Sequence, residues 1–350
     1  MPSVYFRTDG NEEIATGHIM RCLSIARACR ALSMEAHFLV SDEKSASLLE
    51  ERLAFLNEFP IVCLHSNYRA LDGELPIVGS ILKEAPQNSS WLFIDSYFVT
   101  ETYLSELRKL CPVAYLDDLL AFDYPADLIV NYDTAKEPAC YHKAARRLTG
   151  AAYTPLREQF QNVSYTVRPK VRNVFLSAGG TDACNVIGTL LHKIPASSFL
   201  RDLNYHVITS RLNSHFQELE CLASRYPAIH IHTNVQDMAA LMCQCDLGIS
   251  AGGTTLYELC AVGVPSSGFM TADNQSEAIR TFSDNQIIPY AGDARSSPEK
   301  TCGALLSFLG SHRDSYAERQ KSSRRMRAFI DGRGAYRIAS ALKDFFLFRQ

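Results

Sequence analysis

The chain has 350 residues, 47% of them hydrophobic and 21% charged, a composition that indicates a folded protein and excludes a disordered or fibrous one. Its formal net charge of −3 provides no positive field to gather nucleic acid, so we expect no nucleic-acid partner. Single hydrophobic cores stop growing at roughly 250–300 residues, so this length predicts two domains.

Through the first half of the chain, short apolar runs alternate with amphipathic stretches. The runs predict buried strands over 4–7, 36–40, 61–64, 91–95, 113–116 and 128–130. Helical periodicity lies between some of them, at 18–32, 44–55 and 101–110. Such alternation indicates a parallel sheet with helical crossovers.

The pattern pauses over 131–170, where we predict only a short helix near 142–148. It resumes with a helix at 185–193 and with strands at 173–177, 205–208, 229–232, 247–250 and 266–269. We therefore predict an α/β protein with two Rossmann-like domains, 1–168 and 169–332, facing a central cleft. Open α/β sheets bind ligands at the carboxyl ends of their strands, which would line this cleft. A last helix within 333–350 is expected to pack back on the first domain.

The clearest candidate site is the turn that follows the predicted strand at 247–250. Gly252 and Gly253 allow a diphosphate to approach the backbone, and Thr254 is placed to cap the next helix, whose N-terminus offers free N–H groups. Glu258, one turn later, could accept hydrogen bonds from both ribose hydroxyls. An ordinary strand–helix turn with a solvated glutamate would need the same residue types, so both interpretations stay open.

Two other strand exits in this half carry similar signals. Gly179 and Gly180 form a second strand-to-helix glycine turn, and two such turns favour a phosphate-lined cleft more than one does. Asn274 and Gln275 follow the strand at 266–269. Their amides could read sugar hydroxyls or a base, or they could serve as helix-capping residues.

In the first half, His18 begins a helix directly after Gly17. A helix N-terminus disfavours the imidazolium form, so the ring is expected to stay neutral and to accept a proton as a general base does. The alternative is a histidine that caps its own helix. Tyr97 follows the strand at 91–95 and could donate a hydrogen bond into the same cleft. The adjacent Asp117 and Asp118 are expected to brace loops.

Cysteine and histidine spacing predicts neither a disulfide framework nor a metal site. The eleven cysteines are scattered, and no second pair or histidine completes a site around Cys243 and Cys245. No run of about 18 apolar residues occurs, and the first residues do not read as a signal peptide. We expect a cytoplasmic protein with reduced thiols, no membrane insertion and no cofactor.

Several segments together resemble the PseG family of nucleotide-sugar hydrolases and its spore-coat polysaccharide relatives. They occur in the family's order from residue 4 to about 340. The matching segments are Gly17-His18-Ile19-Met20-Arg21-Cys22-Leu23, Asp95-Ser96-Tyr97, Asp117-Asp118, Asn131, Tyr153-x-Pro155-Leu156-Arg157-x-x-Phe160, Gly179-Gly180-x-Asp182-x-x-Asn185, Gly252-Gly253-Thr254-Thr255-x-x-Glu258, Gly263-x-Pro265, Asn274-Gln275 and Asp331-Gly332-x-Gly334.

The resemblance implies the GT-B glycosyltransferase architecture and hydrolysis of UDP-2,4-diacetamido-2,4,6-trideoxy-β-L-altropyranose, in pseudaminic acid-type biosynthesis, without a metal. It implies that His18 activates the attacking water while Tyr97 and Asn274 place water and sugar; attack from the opposite face predicts inversion. Domain 1–168 would carry the base, and domain 169–332 the nucleotide. The substrate-binding residues expected are Gly17, Arg21, Gly179, Gly180, Gly252, Gly253, Thr254, Thr255, Glu258 and Gln275.

Two departures and two alternatives accompany this interpretation. The chain is longer than compact members of the family, with the extra length expected in loops and at the C-terminus. The family usually has Gly-x-Gly-His where this chain has Ala15-Thr16-Gly17-His18, which bears on the sugar rather than on the reaction class. A GT-B glycosyltransferase would use the same UDP-sugar donor with an acceptor hydroxyl in place of water. A non-catalytic nucleotide-sugar binding protein is the second alternative.

Overall fold

A computed structural model describes residues 1–11, 13–14, 16–55, 57–86, 89–132, 141–197 and 200–347, except for the side chains of Asn274, Glu277, Phe346 and Leu347. The chain divides into two compact units, Met1–Glu158 with Arg333–Gln350, and Gln159–Gly332. The chain therefore passes from the first unit to the second between Glu158 and Gln159. The sequence pattern predicts this boundary later, at residue 168. Residues 159–168 group with the second unit, in which Arg168 Nη1 donates to Asp246 Oδ1 at 2.8 Å.

The first unit contains a seven-stranded parallel sheet in the order β3-β2-β1-β4-β5-β6-β7. The strands are β1 (Ser3–Thr8), β2 (Glu35–Val40), β3 (Ile61–Cys63), β4 (Ser90–Asp95), β5 (Val113–Leu116), β6 (Leu128–Asn131) and β7 (Arg146–Thr149). The central strands are apolar throughout because helices cover both faces of a parallel sheet. Phe6 of β1 accordingly stands in register with Phe38 on one side and Phe93 on the other.

Four helices of this unit alternate with the strands. They are α1 (Gly17–Ala31), α2 (Glu43–Glu50), α3 (Leu75–Glu84) and α4 (Glu101–Arg108). Two of them begin at capping side chains, as Asp42 accepts from Ser45 N at 2.7 Å and Thr100 accepts from Tyr103 N at 3.0 Å. The α1 helix has no such side-chain cap.

The last strand of this sheet corrects a prediction. We expected a short helix near 142–148, whereas residues Arg146–Thr149 form the edge strand β7. Its backbone pairs in parallel with β6, with Leu128 opposite Arg146 and Val130 opposite Leu148. Pairing with an open sheet edge outweighs the weak local helix propensity of this segment.

The second unit contains a six-stranded parallel sheet in the order β10-β9-β8-β11-β12-β13. The strands are β8 (Asn173–Ser177), β9 (Asn204–Ile208), β10 (Ile229–His232), β11 (Leu247–Ala251), β12 (Ser266–Met270) and β13 (Tyr290–Asp293). The helices are α5 (Val186–Lys193), α6 (Phe216–Arg225), α7 (Met238–Gln244), α8 (Thr254–Val262), α9 (Ser276–Asp284), α10 (Pro298–Asp314) and α11 (Tyr316–Phe329). Both sheets have the Rossmann-like arrangement predicted from the sequence.

The final helix, α12 (Gly334–Leu347), belongs to the first unit. Ala335, Ile338 and Leu342 are buried in the core that α1 and β1 also form. Trp91 Nε1 on β4 donates to the carbonyl of Leu342 at 3.0 Å, which ties the helix to the sheet. Within the described residues, no helix is long and apolar enough to cross a membrane.

Candidate active site

The side chains of interest in the first unit lie where strands end and α1 begins. Strand β4 ends at Asp95, β5 ends just before Asp117, and the first turn of α1 holds His18. The carboxyl ends of parallel strands share one edge of a sheet, so sequence-distant polar residues meet there.

His18 contacts Asp95 directly. Its Nδ1 lies 2.6 Å from Asp95 Oδ1, and both side chains are almost completely buried. An ionised carboxylate can only accept, so Nδ1 carries the proton and donates it. That arrangement fixes the tautomer and leaves the Nε2 lone pair as the ring's acceptor.

Arg21, one turn after His18, holds the same carboxylate with two nitrogens. Its Nε and Nη2 donate to the two oxygens of Asp95 at 2.5 Å each. Burial opposes ionisation of Asp95, but the charge of Arg21 and the hydrogen bonds from Arg21 and His18 outweigh it and hold the pKa of this carboxyl below its ordinary range. Arg21 Nη2 also lies 3.0 Å from His18 Nδ1; since both atoms carry protons, this is a contact without a hydrogen bond.

The outer nitrogen of Arg21 has its own partners. Nη1 donates to Asp118 Oδ2 at 2.9 Å and to the Tyr132 hydroxyl at 3.0 Å. We expected Asp117 and Asp118 to brace loops. Asp117 does so, because it accepts from Leu119 N at 2.9 Å and from Tyr124 and Tyr141. Asp118 instead accepts a hydrogen bond from Arg21 and helps to hold its guanidinium in place.

Tyr97 lies beside the histidine ring. The two ring centroids are 4.4 Å apart and the planes cross at 79°, an edge-to-face contact. Tyr97 is 36% exposed whereas His18 is 3% exposed, so the tyrosine is the more solvent-accessible of the two rings. His18, Arg21 and Tyr97 thus lie together, with Gly17 adjoining them at the start of α1.

A buried ion network lies at the end of the neighbouring strand β1. Arg7 donates through Nε and Nη2 to the two oxygens of Glu74 at 2.5 and 2.9 Å, and through Nη1 to Asp9 at 2.5 Å. Glu74 also accepts from Ser66 and Tyr103 at 2.6 and 2.7 Å. Because these charged groups are paired and hydrogen-bonded, the network fixes loops at this edge of the sheet.

In the second unit, the Gly252-Gly253 turn joins β11 to α8. A Cβ on Gly252 would approach Ile279 Cγ1 to 2.6 Å, so packing against α9 requires glycine there. A Cβ on Gly253 would meet nothing within 4 Å. Gly253, and not Thr254, is the N-cap residue, and no side chain caps the helix. Leu256 N donates to Gly253 O at 3.0 Å in the first turn of this helix.

The similar turn at Gly179 and Gly180 differs in one respect. Gly179 has a φ of +80°, which favours glycine. The carboxylate of Asp182 accepts from Val186 N at 2.9 Å and from Ile187 N at 3.0 Å, which occupies the first turn of α5. The two glycine turns are thus not equivalent: the Asp182 carboxylate occupies the N-terminus of α5, whereas among the described hydrogen bonds no carboxylate accepts from the first turn of α8.

The remaining candidates of the second unit surround the Gly252 turn. Gln275 Cβ lies 3.2 Å from the Cβ position of Gly252, while its Oε1 accepts from Thr271 N at 2.8 Å. Glu258 on α8 is 6% exposed. Asn274 lies in a short 3₁₀ turn, and its side chain is outside the described part of the structure. Thr254, which is exposed, and Thr255, which is half-buried, are the first two residues of α8.

Three curated proteins are similar to this chain in sequence. The spore coat polysaccharide biosynthesis protein SpsG of Bacillus subtilis is 26% identical over 225 residues, 63% of this chain and 66% of that protein. The UDP-2,4-diacetamido-2,4,6-trideoxy-beta-L-altropyranose hydrolase of Campylobacter jejuni is 23% identical over 246 residues, 68% of this chain and 81% of that protein. An uncharacterized Methanocaldococcus jannaschii protein is 27% identical over 280 residues, 74% of this chain and 53% of that protein.

The chain is a distant homologue of these proteins. It spans less than two thirds of the length of the B. subtilis and M. jannaschii proteins. No protein-family profile matches it.

Solved structures identify the fold. The MurG structure from Acinetobacter baumannii matches with a TM-score of 0.68 at 12% identity, covering 98% of this chain and 100% of that one. Medicago truncatula UGT71G1, complexed with UDP-glucose, matches with a TM-score of 0.66 at 12% identity, covering 99% and 98%. The fold is therefore GT-B-like, as the sequence resemblance implied.

Asp95 and Asp118 were not identified from the sequence as residues of the site. Asp95 appeared only within a matching segment, and Asp118 was interpreted as a loop brace. Asp95 is the last residue of β4 and Asp118 lies just after β5, and position at a strand end is the signal that could have found them. Their pairing with Arg21 spans 74 and 97 residues, and a single sequence contains no information on such long-range contacts.

Proposed function

We propose that this protein hydrolyses a UDP-linked diacetamido-trideoxy-hexose to the free sugar and UDP, with inversion and without a metal. The observation that carries the proposal is the contact between His18 Nδ1 and Asp95 at 2.6 Å. Because Nδ1 donates to this buried, ionised carboxylate, the other ring nitrogen, Nε2, is left as a proton acceptor. A general base requires this arrangement.

In this mechanism, His18 Nε2 takes a proton from water as the water oxygen attacks the anomeric carbon. The bond between that carbon and the diphosphate oxygen breaks, and its electron pair leaves with UDP. Asp95 then stabilises the imidazolium that forms, as the carboxylate of a catalytic triad does. Attack on the face opposite the leaving group inverts the anomeric carbon. A diphosphate leaves without protonation by a second carboxylic acid.

The other residues have supporting roles in the proposal. Tyr97 and Asn274 place water and sugar, and Gly17 and Arg21 shape the sugar side. The N-terminus of α8, at Gly253, stabilises the departing diphosphate because its N–H groups and dipole favour negative charge. The remaining nucleotide-binding residues of the proposal are Gly252, Thr254, Thr255, Glu258 for the ribose, and Gln275. Gly179 and Gly180 would contribute loop N–H groups only.

Two comparisons support the reaction class. The C. jejuni relative bears the name of a hydrolase of this UDP-sugar, and the B. subtilis relative that of a polysaccharide biosynthesis protein. One of the structural neighbours is complexed with UDP-glucose, a nucleotide-sugar of the same kind.

The test is phosphorus NMR of the purified protein with a panel of UDP-linked deoxy-amino sugars, with and without EDTA. We expect UDP to form without an acceptor and independently of the chelator. The His18→Ala variant should lose about 10²–10⁴-fold in turnover while it keeps its affinity for UDP, because the proposed nucleotide residues lie in the other unit. Turnover only with an added acceptor, or unchanged turnover in His18→Ala, would contradict the proposal.

A further inference from the structure

A second group of chemically active side chains lies at the same edge of the first sheet and shares no residue with the site of His18. Strand β3 pairs in parallel with β2 so that Cys63 stands opposite Val40, the last residue of β2. Helix α2 begins three residues after Val40, at Glu43. His65 follows Cys63 by two residues, so the topology gathers a thiol, an imidazole and a carboxylate.

The distances within this group fit one metal ion. One donor atom from each of Glu43, Cys63 and His65 can be chosen so that all lie within 4.8 Å of one another. Cys63 Sγ and His65 Nδ1 are 3.6 Å apart. Zinc–sulfur and zinc–nitrogen bonds with a tetrahedral angle between them would separate the two atoms by about 3.6 Å. The Glu43 carboxylate lies 4.0 Å from the other ring nitrogen of His65, Nε2. Its side chain is mostly exposed, and it must reorient towards Nδ1 to share one ion with the Cys63 thiol.

The loop that presents two of these donors is fixed by backbone hydrogen bonds. Leu64 N donates to Val40 O at 2.8 Å and Ser66 N donates to Ser41 O at 2.9 Å, on either side of His65. The Ser66 hydroxyl also donates to Glu74 of the buried network at 2.6 Å. Cys63 and His65 therefore stand on an anchored segment, which lowers the entropic cost of bringing them to one ion.

The charge around the cluster is negative. Among the described residues, His65 is the only group with a basic nitrogen within ion-pair distance of Glu43. Burial raises the pKa of the Cys63 thiol, and the carboxylates of Glu43 and Asp42 raise it further. A bound divalent cation would reverse that effect on the thiol, since a coordinating thiol is deprotonated.

We propose that Glu43, Cys63 and His65 bind a divalent ion of the zinc class, with water as the fourth ligand. The mixture of thiolate, imidazole and carboxylate selects a borderline ion and disfavours magnesium or calcium, which take oxygen ligands. The ion would join the edge strand β3 to the start of α2.

Cobalt(II) added to chelator-treated full-length protein tests this directly, because a cobalt–thiolate bond absorbs in the near ultraviolet. We expect a band that saturates at one equivalent and disappears when zinc is added. Cys63→Ser should abolish the band, while His65→Gln and Glu43→Gln should keep the thiol but weaken cobalt binding at least about tenfold.

The matched control is Cys221→Ser, which removes an exposed thiol outside the cluster and should bind cobalt as the unchanged protein does. Circular dichroism of each metal-free variant verifies folding, and the two glutamine variants carry the test if Cys63→Ser fails to fold. Absence of a cobalt–thiolate band in the unchanged protein, or its persistence in Cys63→Ser, would overturn the proposal.

Discussion

Asp95 is the residue on which the geometry of the first unit depends most. Its two oxygens serve His18 and Arg21 together, and its side chain has no solvent exposure. A buried carboxylate with two basic partners cannot be removed without leaving charge uncompensated. The residue therefore orients the proposed base and also holds Arg21 in place.

We expect Asp95→Asn to lower turnover by about 10²–10⁴-fold, because an amide can present the wrong hydrogen-bonding group to His18 Nδ1 and select the other tautomer. Initial rates of UDP release provide the measurement. Asp118→Asn is the matched control, since it changes an outer partner of Arg21 and leaves the contact between His18 and Asp95 intact. A loss in Asp118→Asn as large as that in Asp95→Asn would argue against an orienting role for Asp95.

Gly253 permits a second prediction at this scale. A Cβ fits the protein at this position, so Gly253→Ala should cost no more than about 1 kcal/mol, the loss of a favourable N-cap residue. If the diphosphate approaches the backbone there, the added methyl group should weaken UDP binding by about tenfold or more, measurable by calorimetry.

Gly303→Ala is the control for that change, because a Cβ on Gly303 in α10 also meets nothing within 4 Å. It should stabilise the helix by about 0.5–1 kcal/mol and leave UDP affinity unchanged. Equal UDP affinities of the two variants would place the diphosphate elsewhere.

Among the structural elements, the edge pair β9 and β10 brings histidines together. His206 stands opposite His230, and its Nδ1 lies 3.0 Å from His232 Nε2. Burial lowers the pKa of His206 to about 4, and the charges of His232 and His230 add to the effect. The neutral pair shares one proton across that 3.0 Å contact, and protonation of both rings would break it.

Because the folded-state pKa lies below the ordinary value of about 6.5, the unfolded chain binds more protons between pH 6.5 and pH 4. The stabilising contribution is therefore present above that window and is lost as pH falls through it. We expect His206→Gln to reduce the fall in Tm between pH 7 and pH 5 by on the order of 1–3 °C. His142→Gln replaces an exposed histidine and should leave the fall in Tm between pH 7 and pH 5 unchanged. An equal fall in Tm in the two variants would refute the role of His206.

Sequence reasoning located most strands because buried parallel strands are continuous apolar runs bounded by turns. Strands β5, β8 and β10 match the predicted bounds. Strand β13 was missed because it is not a clear apolar run: all four residues are at least partly exposed and Gly292 has a φ of +136°. Edge strands depend on a neighbour for their pairing, and a single sequence does not show that neighbour.

The site was predicted less completely than the fold. Residue types at strand exits indicated His18 and the glycine turns, since local chemistry determines both. The difference between the turns is visible in hindsight: Asp182 follows Gly179-Gly180-Thr181, whereas Thr255 occupies the corresponding position after Gly252. The partnership of Arg21 with Asp118 depends on tertiary structure alone.

For the whole molecule, the return of α12 to the first unit determines that unit's stability. Leu342 is fully buried beside α1, so Leu342→Ala should cost about 2–5 kcal/mol. Trp91 is the only tryptophan of the chain and contacts Leu342, so its fluorescence reports this unit. We expect the fluorescence transition to shift to lower denaturant while the remaining dichroism signal of the second unit does not.

The control for this prediction is Asp344→Ala, at an exposed position of the same helix, which should change stability by less than about 0.5 kcal/mol. A parallel shift of both signals in Leu342→Ala would show that the two units unfold as one cooperative body.

The interrupted first unit also constrains the order of events during synthesis. The second unit is one continuous stretch, Gln159–Gly332, whereas the first needs α12, which is translated later. The nascent chain can thus close its second core while the apolar groove between α1 and Trp91 is still uncovered. During that interval the N-terminal part of the first unit exposes apolar surface that chaperones can bind. This surface is covered once α12 has left the ribosome.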